Sequence, residues 1–135
     1  MESHVWWWNC YLFFLEKGKE NRDVQSIPLI IKANNSFKIE DVLLNLFGET
    51  ENYGGLRIRC EGGVKISSRT YNNQVSGTYG QYIPAIEDTN LLHKVTTYYI
   101  GFIEKSSNFR TNFGILNLSK ADIMIEVVAY NGNGE

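Results

Sequence analysis

The sequence predicts an all-β protein, an antiparallel immunoglobulin-like β-sandwich of about eight short strands with one short helical turn. Three observations predict it. Apolar residues alternate with a period of two through most of the 135 residues, whereas the helical period is almost absent. Polar or glycine-bearing breaks, such as Ala33-Asn34-Asn35-Ser36 and Glu61-Gly62-Gly63, separate the apolar runs. The runs themselves are rich in Thr, Tyr, Ile and Val, which suit a pleated, half-buried surface. A closed barrel is the alternative arrangement of the same strands. The length suits a single domain over residues 1–135, and 43% apolar residues supply a core.

The first expected strand, residues 5–15, is apolar on both sides. Val5, Trp7, Tyr11, Phe13 and Leu15 alternate with Trp6, Trp8, Cys10, Leu12 and Phe14. Such a strand is either covered on both faces, with a neighbouring subunit supplying one cover through Trp6 and Trp8, or bulged near Asn9 so that its faces swap. Residues 16–23 are charged and form a connection. The next strand, 24–32, places Ile27, Leu29 and Ile31 on one face. Pro28 cannot donate to a ladder and so assigns that strand to an edge or a bulge.

Phe37 to Ile39 makes a short extended piece. Asp41 to Phe47 carries the apolar stripe Val42, Leu43, Leu46 and Phe47 of a short helical turn, stopped by Gly48. Leu56, Ile58 and Cys60 oppose Arg57 and Arg59, and after Gly62-Gly63 the pattern resumes from Val64 to Thr70, which reads as a hairpin. Further strands are expected over 95–104, 112–118 and 121–130, with residues 87–93 left unassigned before them. In the last strand Ala121, Ile123, Ile125, Val127 and Ala129 oppose Asp122 and Glu126. Residues 8–15 and 110–117 share a pattern that is consistent with either a repeat or two similar hairpins.

Charge and chemistry narrow the functions. Net charge is -2 with the signs scattered, so nucleic acid is not an expected partner. No apolar run is long enough for a membrane-spanning helix. The N-terminus lacks a basic region and a small-residue cleavage site, so an export signal, if one is used, lies outside this chain. His4 and His93 are the two histidines, and no G-x-S-x-G elbow, phosphate loop or metal-ligand spacing occurs. No catalytic residues, metal or cofactor are therefore expected. Cys10 and Cys60 lie in apolar runs and read as buried free thiols in preference to a disulfide. Asn34-Asn35-Ser36 and Asn117-Leu118-Ser119 fit a glycosylation pattern by coincidence.

The stretch Ser67 to Ala85 reads as a long polar crossover between sheets. Gly77 and Gly80 would supply unusual backbone angles there and Pro84 would end the crossing. Tyr71, Asn72, Tyr79, Gln81 and Tyr82 are its candidate ligand-binding residues, because flat rings beside amide side chains can hold a sugar or other small ligand. Arg69 and Arg110, each beside a threonine, read as structural clamps that tie loop carbonyls or a carboxylate such as Asp41.

Asp41-Val42-Leu43 with Leu46-Phe47-Gly48, Gly55-Leu56-Arg57-Ile58, Ser68-Arg69-Thr70-Tyr71-Asn72, Gly77-Thr78-Tyr79-Gly80-Gln81, Ile83-Pro84-Ala85 and Phe109-Arg110-Thr111-Asn112-Phe113-Gly114 with Asn117 follow one another in order. Over residues 38–130 this set resembles a recurring module of secreted or surface-associated multidomain bacterial proteins. The tryptophan-rich first strand departs from that pattern. The resemblance implies a β-sandwich with an accessory extracellular role and no catalytic activity. A fainter likeness, in strand order and in the layout from Lys38-Ile39-Glu40-Asp41 to Arg69, is to the sensory rhodopsin transducer, a small oligomeric β-sandwich.

Together these readings lead to a non-enzymatic interaction or structural module, self-associating and secreted or at a cell surface, with a cytoplasmic location still open. Carbohydrate or small-ligand binding is the alternative. Partners would be another copy, another protein or a glycan.

Overall fold

The computed structural model describes residues 7–91 and 97–135, apart from the side chain of Trp7. His4, Trp6 and His93 lie outside the described residues. The chain divides into two compact units, Met1–Thr96 and Thr97–Glu135. The protein is all-β, with antiparallel sheets and, among the described residues, two short helical turns.

In the first unit, β1 (Trp7–Glu16) is the centre of a three-stranded sheet, between β2 (Ile27–Lys32) and β3 (Gly54–Cys60). The order β2-β1-β3 puts Pro28 on an edge strand, where its missing N–H costs no central hydrogen bond. Pairing runs without interruption from Trp7↔Lys32 to Leu12↔Ile27 and from Cys10↔Cys60 to Glu16↔Gly54. No bulge therefore swaps the faces at Asn9.

The register gathers Cys10, Leu12 and Phe14 with Leu29, Ile27, Cys60, Ile58 and Leu56 on one face. Cys10, Leu12 and Phe14 are buried, and Leu15, at the end of the opposite face, is buried too. The turn at Leu43–Phe47 brings the Phe47 ring to 5.7 Å from that of Phe14 and so helps cover this face. That turn is wound as one π-type turn. Asp41 anchors its start by accepting from Asn45 N–H at 2.9 Å, and Gly48 ends it at φ 71°, a conformation that glycine adopts without a Cβ penalty.

Asn21 closes the β1–β2 connection. Its Oδ1 accepts from the Glu16 N–H at 3.0 Å and its Nδ2 donates to the Glu16 carbonyl at 2.9 Å, as a neighbouring strand would.

Three sequence expectations are corrected here. Cys10 and Cys60 form a disulfide and are not free thiols. They are directly paired across β1 and β3, with Cα atoms 4.1 Å apart, so the ladder itself delivers the two sulfurs to each other. The segment after Gly62-Gly63 does not fold back on β3. Leu56, Ile58 and Cys60 instead pair with Phe14, Leu12 and Cys10, which bury them better than Ser68 and Thr70 could. Ser67–Ala85 is not a crossover. It forms β4 (Ser67–Gln74) and β5 (Gly77–Pro84), an antiparallel hairpin paired along its whole length.

In the second unit, Lys105 and Arg110 form an isolated bridge, and the Thr111 N–H donates to the Glu104 carbonyl at 3.0 Å. The Phe109 N–H donates to the Ser106 hydroxyl, which tightens the turn between them. Of the strands expected over 95–104, 112–118 and 121–130, Val95 and Thr96 lie outside the described residues and the rest runs outside any ladder among the described residues. Their aromatic and aliphatic side chains are exposed, Tyr99, Phe102 and Met124 among them.

Candidate functional site

The β4–β5 hairpin holds all five sequence-expected ligand residues and divides them between its two faces. Side chains alternate across a strand, so the pairs Arg69↔Tyr82, Tyr71↔Gly80 and Asn73↔Thr78 share one face. The pairs Ser68↔Ile83, Thr70↔Gln81 and Asn72↔Tyr79 share the other. Tyr71 and Tyr82 thus stand with Arg69, while Tyr79 stands between two amides, Asn72 directly across and Gln81 two residues along. All sixteen residues of the two strands are exposed. Tyr71, Tyr79 and Tyr82 keep 57%, 64% and 61% of their surface open, ample for a partner.

Two glycines shape the hairpin by different means. Gly77, at φ 138°, takes a backbone conformation closed to other residues just after the Val75-Ser76 turn. Gly80 has no such angle; there a Cβ would sit 2.6 Å from the Tyr71 Cβ and 2.8 Å from the Thr70 carbonyl oxygen. Its bare backbone lets β4 approach closely at Thr70 and Tyr71.

The Arg69 guanidinium lies 5.5 Å from the centre of the Tyr71 ring, and among the described residues it has no carboxylate partner. Asp41 works locally instead, with its Oδ1 accepting from the Leu44 N–H at 3.4 Å. Arg110 belongs to the second unit, in the bridge with Lys105. Trp8, a candidate interface residue, is half-buried; its indole lies over Gly62, where a Cβ would come within 2.3 Å of the ring.

The open face of the three-stranded sheet carries residues that the sequence reading did not single out. The Arg57 guanidinium lies 4.3 Å from the centre of the Phe13 ring, its cross-strand partner, and that of Arg59 lies 5.9 Å from Tyr11, likewise its partner. Alternation in the sequence showed that both arginines point away from the core. It did not show that aromatic rings of β1 would lie directly beside them, because that depends on β3 pairing with β1.

Near the helical turn, Lys38 and Glu40 form an ion pair on the surface. Their hydrogen bond and mutual attraction raise the Lys38 pKa above, and lower the Glu40 pKa below, their ordinary values. Among the described residues no group of three or more His, Cys, Asp or Glu is placed to hold a metal ion, and no helix is long and apolar enough to cross a membrane. Comparisons with protein-family models, curated proteins and solved structures find no match for this chain.

Proposed function

We propose that this chain is a non-enzymatic interaction module that self-associates and works outside the cell or at its surface. The observation that carries the reading is the β4–β5 hairpin, exposed at every position on both faces. A lone two-stranded hairpin is marginal in water and gains stability from a third strand or an apolar cover. Its strands offer open edges, and the Arg69 side chain is the sole charge between Ser67 and Pro84, so little repels a second copy. The disulfide between Cys10 and Cys60 supports an oxidising compartment, where such bonds persist. The resemblance to surface-associated bacterial modules points the same way.

Sedimentation equilibrium tests the association. The expected result is a dimer or larger species that weakens when Tyr82→Lys places a charge on the hairpin. A monomer at every accessible concentration overturns the reading.

One observation favours a second reading, sugar or small-ligand binding. Tyr79 is flanked by Asn72 and Gln81 on a single face, an aromatic surface bordered by amide donors and acceptors. Glycan-array binding that is lost in Tyr79→Ala supports it, and an array without hits removes it.

A further inference from the structure

We propose that the open face of the three-stranded sheet docks an extended acidic polypeptide segment, with Arg57 and Arg59 each taking one carboxylate. The two arginines are two residues apart on β3, so they stand on the same face, separated along the strand by about 6.6–6.8 Å. Any extended peptide with acidic residues at alternate positions presents its carboxylates at that same repeat. The match follows from backbone geometry alone.

Both guanidinium groups are arranged for such a partner. Each lies near an aromatic ring, Arg57 at 4.3 Å from the centre of Phe13 and Arg59 at 5.9 Å from that of Tyr11. No side-chain hydrogen bond or ion pair engages either group among the described residues, so the N–H donors of each guanidinium are open to grip a carboxylate in bidentate fashion. Among the described residues neither arginine has an ion-pair partner, and both are exposed. The nearest acid in register on this face is Glu61, opposite Asn9, and its Oε2 is already taken by Asn9 Nδ2 at 2.9 Å. Below them the sheet is fixed by the Cys10–Cys60 disulfide, one residue from Arg59, so little ordering would be lost on binding.

The surroundings favour a peptide over other polyanions. The arginines themselves lie against the rings of Tyr11 and Phe13, which leaves less ring face for a sugar to stack on. Besides Arg57 and Arg59 the register puts Lys32 on this face, at the far end of the opposite edge strand, and three cations so spread do not make the track that a nucleic-acid backbone follows.

The test is a fluorescence-anisotropy titration of the intact, oxidised protein with a labelled peptide of alternating Glu and Ser, at low salt. A peptide of the same composition with its glutamates in one block and a sulfated glycan serve as comparisons. Expected are saturable binding of the alternating peptide, weaker binding of the block peptide, and a loss of about tenfold in affinity for each of Arg57→Gln and Arg59→Gln. Arg57→Lys keeps the stem and charge but not the planar fork, so it too should weaken binding, and it decides the matter if Arg57→Gln disturbs the sheet. No binding, equal binding of the block peptide or the glycan, or affinity unchanged in the arginine variants would overturn the proposal.

Discussion

The three-stranded sheet and the β4–β5 hairpin use the same antiparallel pairing and differ in almost everything that stabilises it. In the sheet the ladder delivers Cys10 to Cys60, Leu12 to Ile58 and Phe14 to Leu56, so one face becomes a core with a covalent bond inside it. In the hairpin the pairs are Thr70 with Gln81, Asn72 with Tyr79 and Arg69 with Tyr82, and every side chain stays in water. Hydrogen bonds of the backbone contribute modestly when water competes for the same groups. Burial separates a sheet that has a core on one face from a hairpin that has none.

The largest effect expected from breaking this contrast is loss of the disulfide. Cys10 and Cys60 are 50 residues apart, and releasing a loop of that size frees unfolded-chain entropy equivalent to about 4 kcal/mol. Urea unfolding of the Cys10→Ala/Cys60→Ala protein should show that loss relative to the oxidised parent, while the hairpin amides exchange as before. Next comes Leu12→Ala. Leu12 is 4% exposed between Ile27 and Ile58, and emptying that position should cost about 2–5 kcal/mol by the same measurement. No single truncation within the hairpin should approach either value.

The same contrast explains what could be read in the sequence. β2 and β3 were legible because one buried face imposes a period of two, Ile27, Leu29 and Ile31 on one strand, Leu56, Ile58 and Cys60 on the other, and β1 was legible as an apolar run. Pro28 marked the edge strand, and Gly48 marked the end of the helical turn. Of the hairpin only the start of β4, at the end of the Val64 to Thr70 run, was legible as a strand, since neither face is buried and Asn, Gln, Ser and Gly carry no period. The disulfide was hidden for a different reason. It depends on β3 pairing with β1 across a gap of 50 residues, and the nearby Gly62-Gly63 suggested a local hairpin in its place. The five candidate tyrosine, asparagine and glutamine residues could be named from composition, but their division between two faces follows only from the pairing register.

Smaller effects are expected where a glycine admits a neighbouring ring. A methyl group at position 80 would meet the Tyr71 Cβ at 2.6 Å, so Gly80→Ala should open the hairpin at a cost of about 1–3 kcal/mol while the sheet is unaffected. Hydrogen exchange resolves this, with faster exchange from Thr70 to Gln81 and unchanged protection in β1. Gly62→Ala is the corresponding change on the sheet side. It must displace the Trp8 indole, and a shift in tryptophan fluorescence with little change in the Leu12 environment would report it.

The smallest effect belongs to Lys38 and Glu40, and its sign can be fixed. Glu40 has a folded-state pKa below its unfolded value, so its contribution is present above the unfolded pKa and is lost as pH falls through the folded one. Lys38 has a raised folded-state pKa; its contribution is present below the unfolded value and is lost as pH rises through the folded one. The pair therefore favours the folded state across the range between ordinary carboxylate and lysine titration and fades on both sides. Both side chains are exposed, at 80% and 71%, and water and salt screen them. Glu40→Gln should accordingly leave the urea midpoint at neutral pH within error while reducing the upward shift of the Lys38 ammonium titration, as followed by NMR. A clear fall in the midpoint would mean that this surface pair stabilises the fold far more than its exposure allows.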